Sequence, residues 1–128
     1  MKELINKFKT IEKELSDEKG EFNLFALFLR EDSANKWDLL VSADWIIDNK
    51  SESLNLITKK VQEHLDNKEL VNLSRIVLIE ENNPALEAFH NAISAEHTSA
   101  EIQDSNFFGL QIKHAYVITS RKNTAEAN

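Results

Sequence analysis

The sequence predicts an α+β domain: a four-stranded mixed sheet in the order α-β-β-α-β-α-β, packed with three helices. Three observations carry this expectation. Phe22 to Leu29 is a nearly unbroken apolar run, as in a strand covered on both faces. Trp37, Leu39, Val41 and Ala43 alternate with Asp38, Leu40 and Ser42, the period of a strand with two unlike faces. Apolar residues recur at helical spacing in two long stretches, one ahead of this pair and one behind it.

The first such stretch runs from Lys2 to about Asp17, with Leu4, Ile5, Phe8, Ile11 and Leu15 on one stripe and Gly20 as its stop. Arg30 to Lys36 supplies Glu, Asp, Ser and Asn, which favour turns by bonding their own backbone. That link is too short for a parallel crossover, so the two strands it joins pair antiparallel. If the second strand continues, Trp37 and Trp45 share a face, with Asp38 and Asp44 opposite.

Leu54, Ile57, Val61 and Leu65 place a helix over Ser51 to Asp66, and Asn67 to Leu73 fits one more helical turn. Arg75 to Glu80 is a short β-branched strand. Asn83-Pro84 opens the next helix with a cap and then a proline whose missing N–H costs nothing there. Glu96 to Asn106 reads as a loop. Phe107 to Ser120 is the last strand, with Gly109 as a bulge. The Phe22 strand, being most apolar, is expected inside the sheet, in an order 2-1-3-4 with strand 1 antiparallel to the others. Residues 1–121 form one domain and 122–128 a polar, frayed tail.

The chain has 128 residues, enough to bury a core without staples, and no cysteine. Disulfides and thiolate metal sites are therefore excluded, as expected of a cytoplasmic protein. No run approaches the eighteen or so apolar residues of a membrane span, and the first helix is amphipathic where a signal peptide would be apolar. A net charge of −7 argues against nucleic acid, whose binding rests on cations that neutralise phosphates.

Motifs for chemistry are sparse. Two glycines leave no phosphate-cradling loop, and there is no HExxH, serine elbow or cysteine nucleophile. Glu87 and His90 sit three apart, with His97 seven further on, but a metal site needs ligands from other elements too. No metal or other cofactor is expected. Asp38 followed by Gln111-Ile112-Lys113 resembles, over four positions, the acidic residue and Gln-x-Lys of restriction-endonuclease-like nucleases. The tripeptide departs from that pattern by falling after two helices, on the wrong strand. With Glu80 it defines an alternative catalytic set of Asp38, Glu80 and Lys113.

The expected function is that of a small acidic protein-interaction or regulatory module, adaptor, immunity or antitoxin-like. Trp37, Trp45 and Asp44 are its candidate binding residues, since exposed tryptophan is enriched at interfaces. The partner is a protein, with a basic surface as the natural complement of the charge, and a homodimer is also open to it. A divergent metal-dependent nuclease or other hydrolase is the alternative.

Overall fold

The structure is a computed structural model that describes residues 2–32 and 36–121. Part of the expected 30–36 link and the expected tail 122–128 lie outside the described residues. The chain order is α1 (Lys2–Lys19), β1 (Leu24–Arg30), β2 (Trp37–Ser42), α2 (Asp44–Asp48), α3 (Lys50–His64), α4 (Asn67–Val71), β3 (Leu73–Leu78), α5 (Pro84–Ala92), β4 (Ala100–Phe107) and β5 (Leu110–Ser120). The α+β class and mixed sheet are as expected. The sheet, however, has five strands, ordered β3-β2-β1-β5-β4; α4 falls where one more helical turn was expected, and the short helix α2 is additional.

β1 is the middle strand, and its continuous apolar run follows from that position. Phe25 and Leu27 face one cluster with Phe8, Ile11 and Leu15 of α1 and Ile57 and Val61 of α3. Leu24, Ala26 and Phe28 face a second cluster with Leu86 and Phe89 of α5. Both faces of the sheet are therefore covered, and every β1 residue from Leu24 to Phe28 is fully buried.

β1 pairs antiparallel with β2, as the short link required, and antiparallel with β5. β3 runs parallel to β2, with Asp38 opposite Arg75, and not beside β1 as the order 2-1-3-4 supposed. The correction is physical: α3 returns the chain next to the strand it left, as crossover units do. β3 is thereby pushed to the edge of the sheet.

Two further corrections concern the chain after α5. The stretch read as a loop contains β4, antiparallel to β5 from Ala100 opposite Val117 to Phe107 opposite Leu110. Gly109 is not a bulge but half of the two-residue turn between these strands. Phe108 and Gly109 both have positive φ, +57° and +72°, the backbone of a type I′ hairpin. Phe108 is an unusual residue for that conformation, and its ring packs on Phe28 and Phe89 at 6.2 and 5.6 Å. A Cβ at Gly109 meets nothing within 4 Å, so Gly109→Ala carries only the left-handed backbone penalty. It should cost about 1 kcal/mol in denaturant unfolding, with an unchanged slope.

Gly20 ends α1 at φ +129°, its N–H reaching Ser16 O at 3.0 Å. A Cβ there would lie 3.4 Å from Trp45 Cδ1, so the glycine also makes room for the indole.

Candidate functional site

Trp37 and Trp45 stand on the same cluster, but not on one strand. The chain leaves β2 at Ser42, and Asp44 opens α2, which breaks the two-residue alternation before Trp45. Trp37 is 7% exposed, its ring set 5.7 Å from Tyr116 and 6.2 Å from His114. It belongs to the core. Trp45 is half-buried; its Nε1 donates to Gly20 O at 2.9 Å and its ring meets Phe22 edge-on. The cluster they share also contains side chains of α1 and α3. Asp44 is exposed at the start of α2.

Asp38, Glu80 and Lys113 do not converge. Asp38 is fully buried at the start of β2, where Arg30 Nε reaches its Oδ2 at 2.6 Å and Arg75 Nε reaches the same atom at 3.3 Å. Oδ1 has no hydrogen-bond partner among the described residues. Arg75 lies opposite Asp38, and Glu80 is five residues further along, about 16 Å at strand spacing. Glu80 pairs there with Lys50 of α3. Lys113 is exposed on β5, at the register shift between His114 and Ile112. β1 lies between its strand and that of Asp38.

The histidine spacing on α5 is likewise dispersed. His90 Nδ1 bonds Ser120 Oγ at 2.9 Å, and that hydroxyl donates onward to Ile93 O. Glu87 is exposed. His97 turns away from both toward α1. Its Nδ1 lies 2.7 Å from Glu12 Oε1 and its Nε2 lies 3.1 Å from Glu21 Oε2.

Glu12 is the residue the sequence reading missed. It falls four residues after Phe8 and three before Leu15, on the buried stripe of α1, and is fully buried. A carboxylate there must be compensated. Thr119 Oγ1 donates to Oε2 at 2.7 Å, Ser16 Oγ contacts the same atom at 3.4 Å, and His97 faces Oε1. The hydrogen bond to Glu12 holds the His97 imidazolium above its ordinary pKa, with smaller support from the charge of Glu21, against burial and Lys13. His97 itself sits at φ +48°, and its N–H bonds Thr119 Oγ1 at 3.2 Å.

The sheet edges are the remaining functional feature, and they are unlike. β4 carries Glu101, Gln103, Asp104 and Asn106 as exposed residues, with Asp104 at φ +48°, the charges and distortion that blunt an edge. β3 (LSRIVL) has one charge, Arg75, and no proline or glycine. Among the described residues no strand pairs with its outer side. Ile79 N–H donates inward to Val41 O at 2.8 Å. Counting back from Ile79 along the parallel ladder, alternate residues turn the same way, so Ile76 and Leu78 aim their N–H and C=O groups outward; the register shift at Trp37, whose N–H reaches Asn72 O, ends that alternation ahead of Arg75.

Val77 and Ile79 face a groove of about 320 Å³, closed by Asn83 and Ala85 of α5 and by Phe108 and Leu110 of the hairpin. Arg75 stands at one end of it. Val71, at the end of α4, is 64% exposed.

No family profile, curated protein or solved structure matches this chain. Among the described residues no helix is long and apolar enough to cross a membrane.

Proposed function

We propose that this is an acidic protein-interaction module of the cytoplasm, and that it acts by adding an extended segment of a partner protein to the free edge of β3. The open, apolar β3 edge beside a groove carries this reading. Main-chain hydrogen bonds from Ile76 and Leu78 supply affinity that any strand can use. Side-chain selection comes from the groove, which receives every second residue of an added strand. Val77 and Ile79 favour apolar residues at those positions.

The chemistry of the partner follows from charge. With a net charge of −7, and Glu80 and Glu81 at the C-terminal end of β3, the complementary segment is apolar in alternation and basic at its flank. This moves the expected docking surface away from Trp37 and Trp45. It also replaces the catalytic alternative, since Asp38 is held by arginines and its supposed partners lie elsewhere.

The test is selection of binding peptides from a randomised display library, followed by Ile76→Pro beside Ile76→Ala. The proline removes an outward N–H that the sheet does not use, so the pairing with β2 should survive, and the alanine loses the same side chain while keeping the N–H. Recovered peptides should show alternating apolar residues with flanking Lys or Arg. Their affinity should fall with added salt and be at least about tenfold weaker for Ile76→Pro than for Ile76→Ala, as expected for a lost ladder bond and a blocked approach. Peptides that bind the two variants equally well would refute the edge. A concentration-dependent dimer abolished by Ile76→Pro would assign the edge to a second copy and overturn the partner reading.

A further inference from the structure

We propose that Glu12, Glu21 and His97 form a binding site for a first-row divalent cation, with Zn2+ the preferred ion. This stands apart from the β3 edge. The three residues come from α1, from the turn that follows Gly20, and from the segment between α5 and β4. One ligand atom from each can be chosen so that all lie within 4.8 Å of one another. The set is thus the convergence from separate elements that the Glu87, His90 and His97 spacing lacks.

Charge shows why the site suits a cation. Glu12 contacts one ring nitrogen and Glu21 the other, and both carboxylates only accept. A neutral imidazole carries one N–H, so it can satisfy one of these contacts and sets a lone pair against the other. Two carboxylates, one of them fully buried, thus converge with an imidazole on a place where a positive charge completes the arrangement.

No lysine or arginine among the described residues pairs with Glu12, so nothing else there neutralises its buried charge. Lys13, the neighbour of Glu12 in sequence, pairs with Asp17.

The geometry suits a transition metal. Ligand atoms about 2.0–2.2 Å from zinc lie roughly 3.5 Å apart around a tetrahedron, so Glu12 and His97, 2.7 Å apart, must open slightly while Glu21 moves in. Glu21, with a side chain 45% exposed, is free to make that movement. Glu12 is already oriented: Thr119 and Ser16 hold Oε2 and leave Oε1 for the site, the outer support that metal-bound carboxylates receive. One imidazole and two carboxylates favour Zn2+ over Mn2+ in affinity, and the nitrogen disfavours Mg2+ and Ca2+. Three protein donors leave a coordination position for water or a ligand.

The experiment is calorimetric titration of chelator-treated protein with Zn2+ at mildly alkaline pH, alongside thermal unfolding. Wild type should bind one equivalent saturably, unfold at higher temperature with zinc, and ignore Mg2+. Glu21→Gln is exposed and should leave the metal-free melting temperature unchanged, yet weaken zinc at least about tenfold. His97→Asn, which tolerates the left-handed backbone, should weaken zinc as much, and should also lower the metal-free melting temperature because Glu12 loses its imidazole partner. His64→Asn, on α3, should bind as wild type does. Mn2+ should broaden the amide signals around residues 12, 21 and 97 first. Absence of saturable zinc binding, or binding unchanged in Glu21→Gln and His97→Asn, would overturn the site.

Discussion

Phe25→Asp should abolish cooperative folding. Phe25 is fully buried on the central strand, opposite Val41 and Thr119, with Phe22 at 5.0 Å and Phe8 at 6.5 Å. No basic side chain belongs to that cluster, so the new carboxylate would be desolvated without a partner. Such a charge costs several kcal/mol or more, against a total stability of roughly 5–15 kcal/mol for a domain. Phe28→Asp should fail similarly on the opposite face, where it would also stand directly across from the Asp38 carboxylate. Circular dichroism during heating reads both outcomes. Sharp unfolding near the wild-type temperature in both variants would contradict the central placement of β1.

The second large effect is expected at Asp38. Asp38→Ala removes the carboxylate that holds Arg30, whose side chain is only 19% exposed, and should cost about 3 kcal/mol in denaturant unfolding. Asp32 still contacts the guanidinium at 2.9 Å and keeps the loss from being larger. Arg75 is half-exposed and returns to water. Combining Asp38→Leu with Arg30→Met should recover much of the loss, because an apolar pair of similar size need not be desolvated. A loss below about 1 kcal/mol in Asp38→Ala would show that the ion pair is not part of the fold. The structural role also bears on assays: inactivity of Asp38→Ala reports on chemistry only where its stability has been measured.

The legible part of the fold was the part whose burial leaves a long, regular apolar pattern. β1 announced itself because both its faces are covered, and α1 and α3 because one stripe of each is. β4 did not, because it is an edge strand with one face on the core. Ala100, Ile102 and Phe107 are its only apolar residues, and Glu101, Gln103, Asp104 and Asn106 give it the composition of a loop. Missing β4 also hid the hairpin, so Gly109 read as a bulge inside one long strand. The order of strands was misjudged because apolar content ranks strands by burial and says nothing of which neighbour each one has.

The sites were less legible still. The alternation through Trp45 failed at Ala43, where the chain turns into α2 with no side-chain cap to mark the change. Glu12 and His97 are separated by 85 positions, beyond the reach of any spacing rule. One local signal existed: a glutamate and a serine, Glu12 and Ser16, on the apolar stripe of α1, where a helix that serves only the core would carry neither. The β3 edge was invisible until the sheet order placed it there.

Amide hydrogen exchange at Ile76 and Leu78, measured residue by residue with and without a selected peptide, tests the docking edge most directly. These outward amides have no partner strand among the described residues and should exchange readily in the free protein. The account predicts strong slowing at both when the peptide binds, with little change along β4. Unchanged exchange at Ile76 and Leu78, with slowing around Trp45 instead, would contradict it and return the binding surface to the tryptophan.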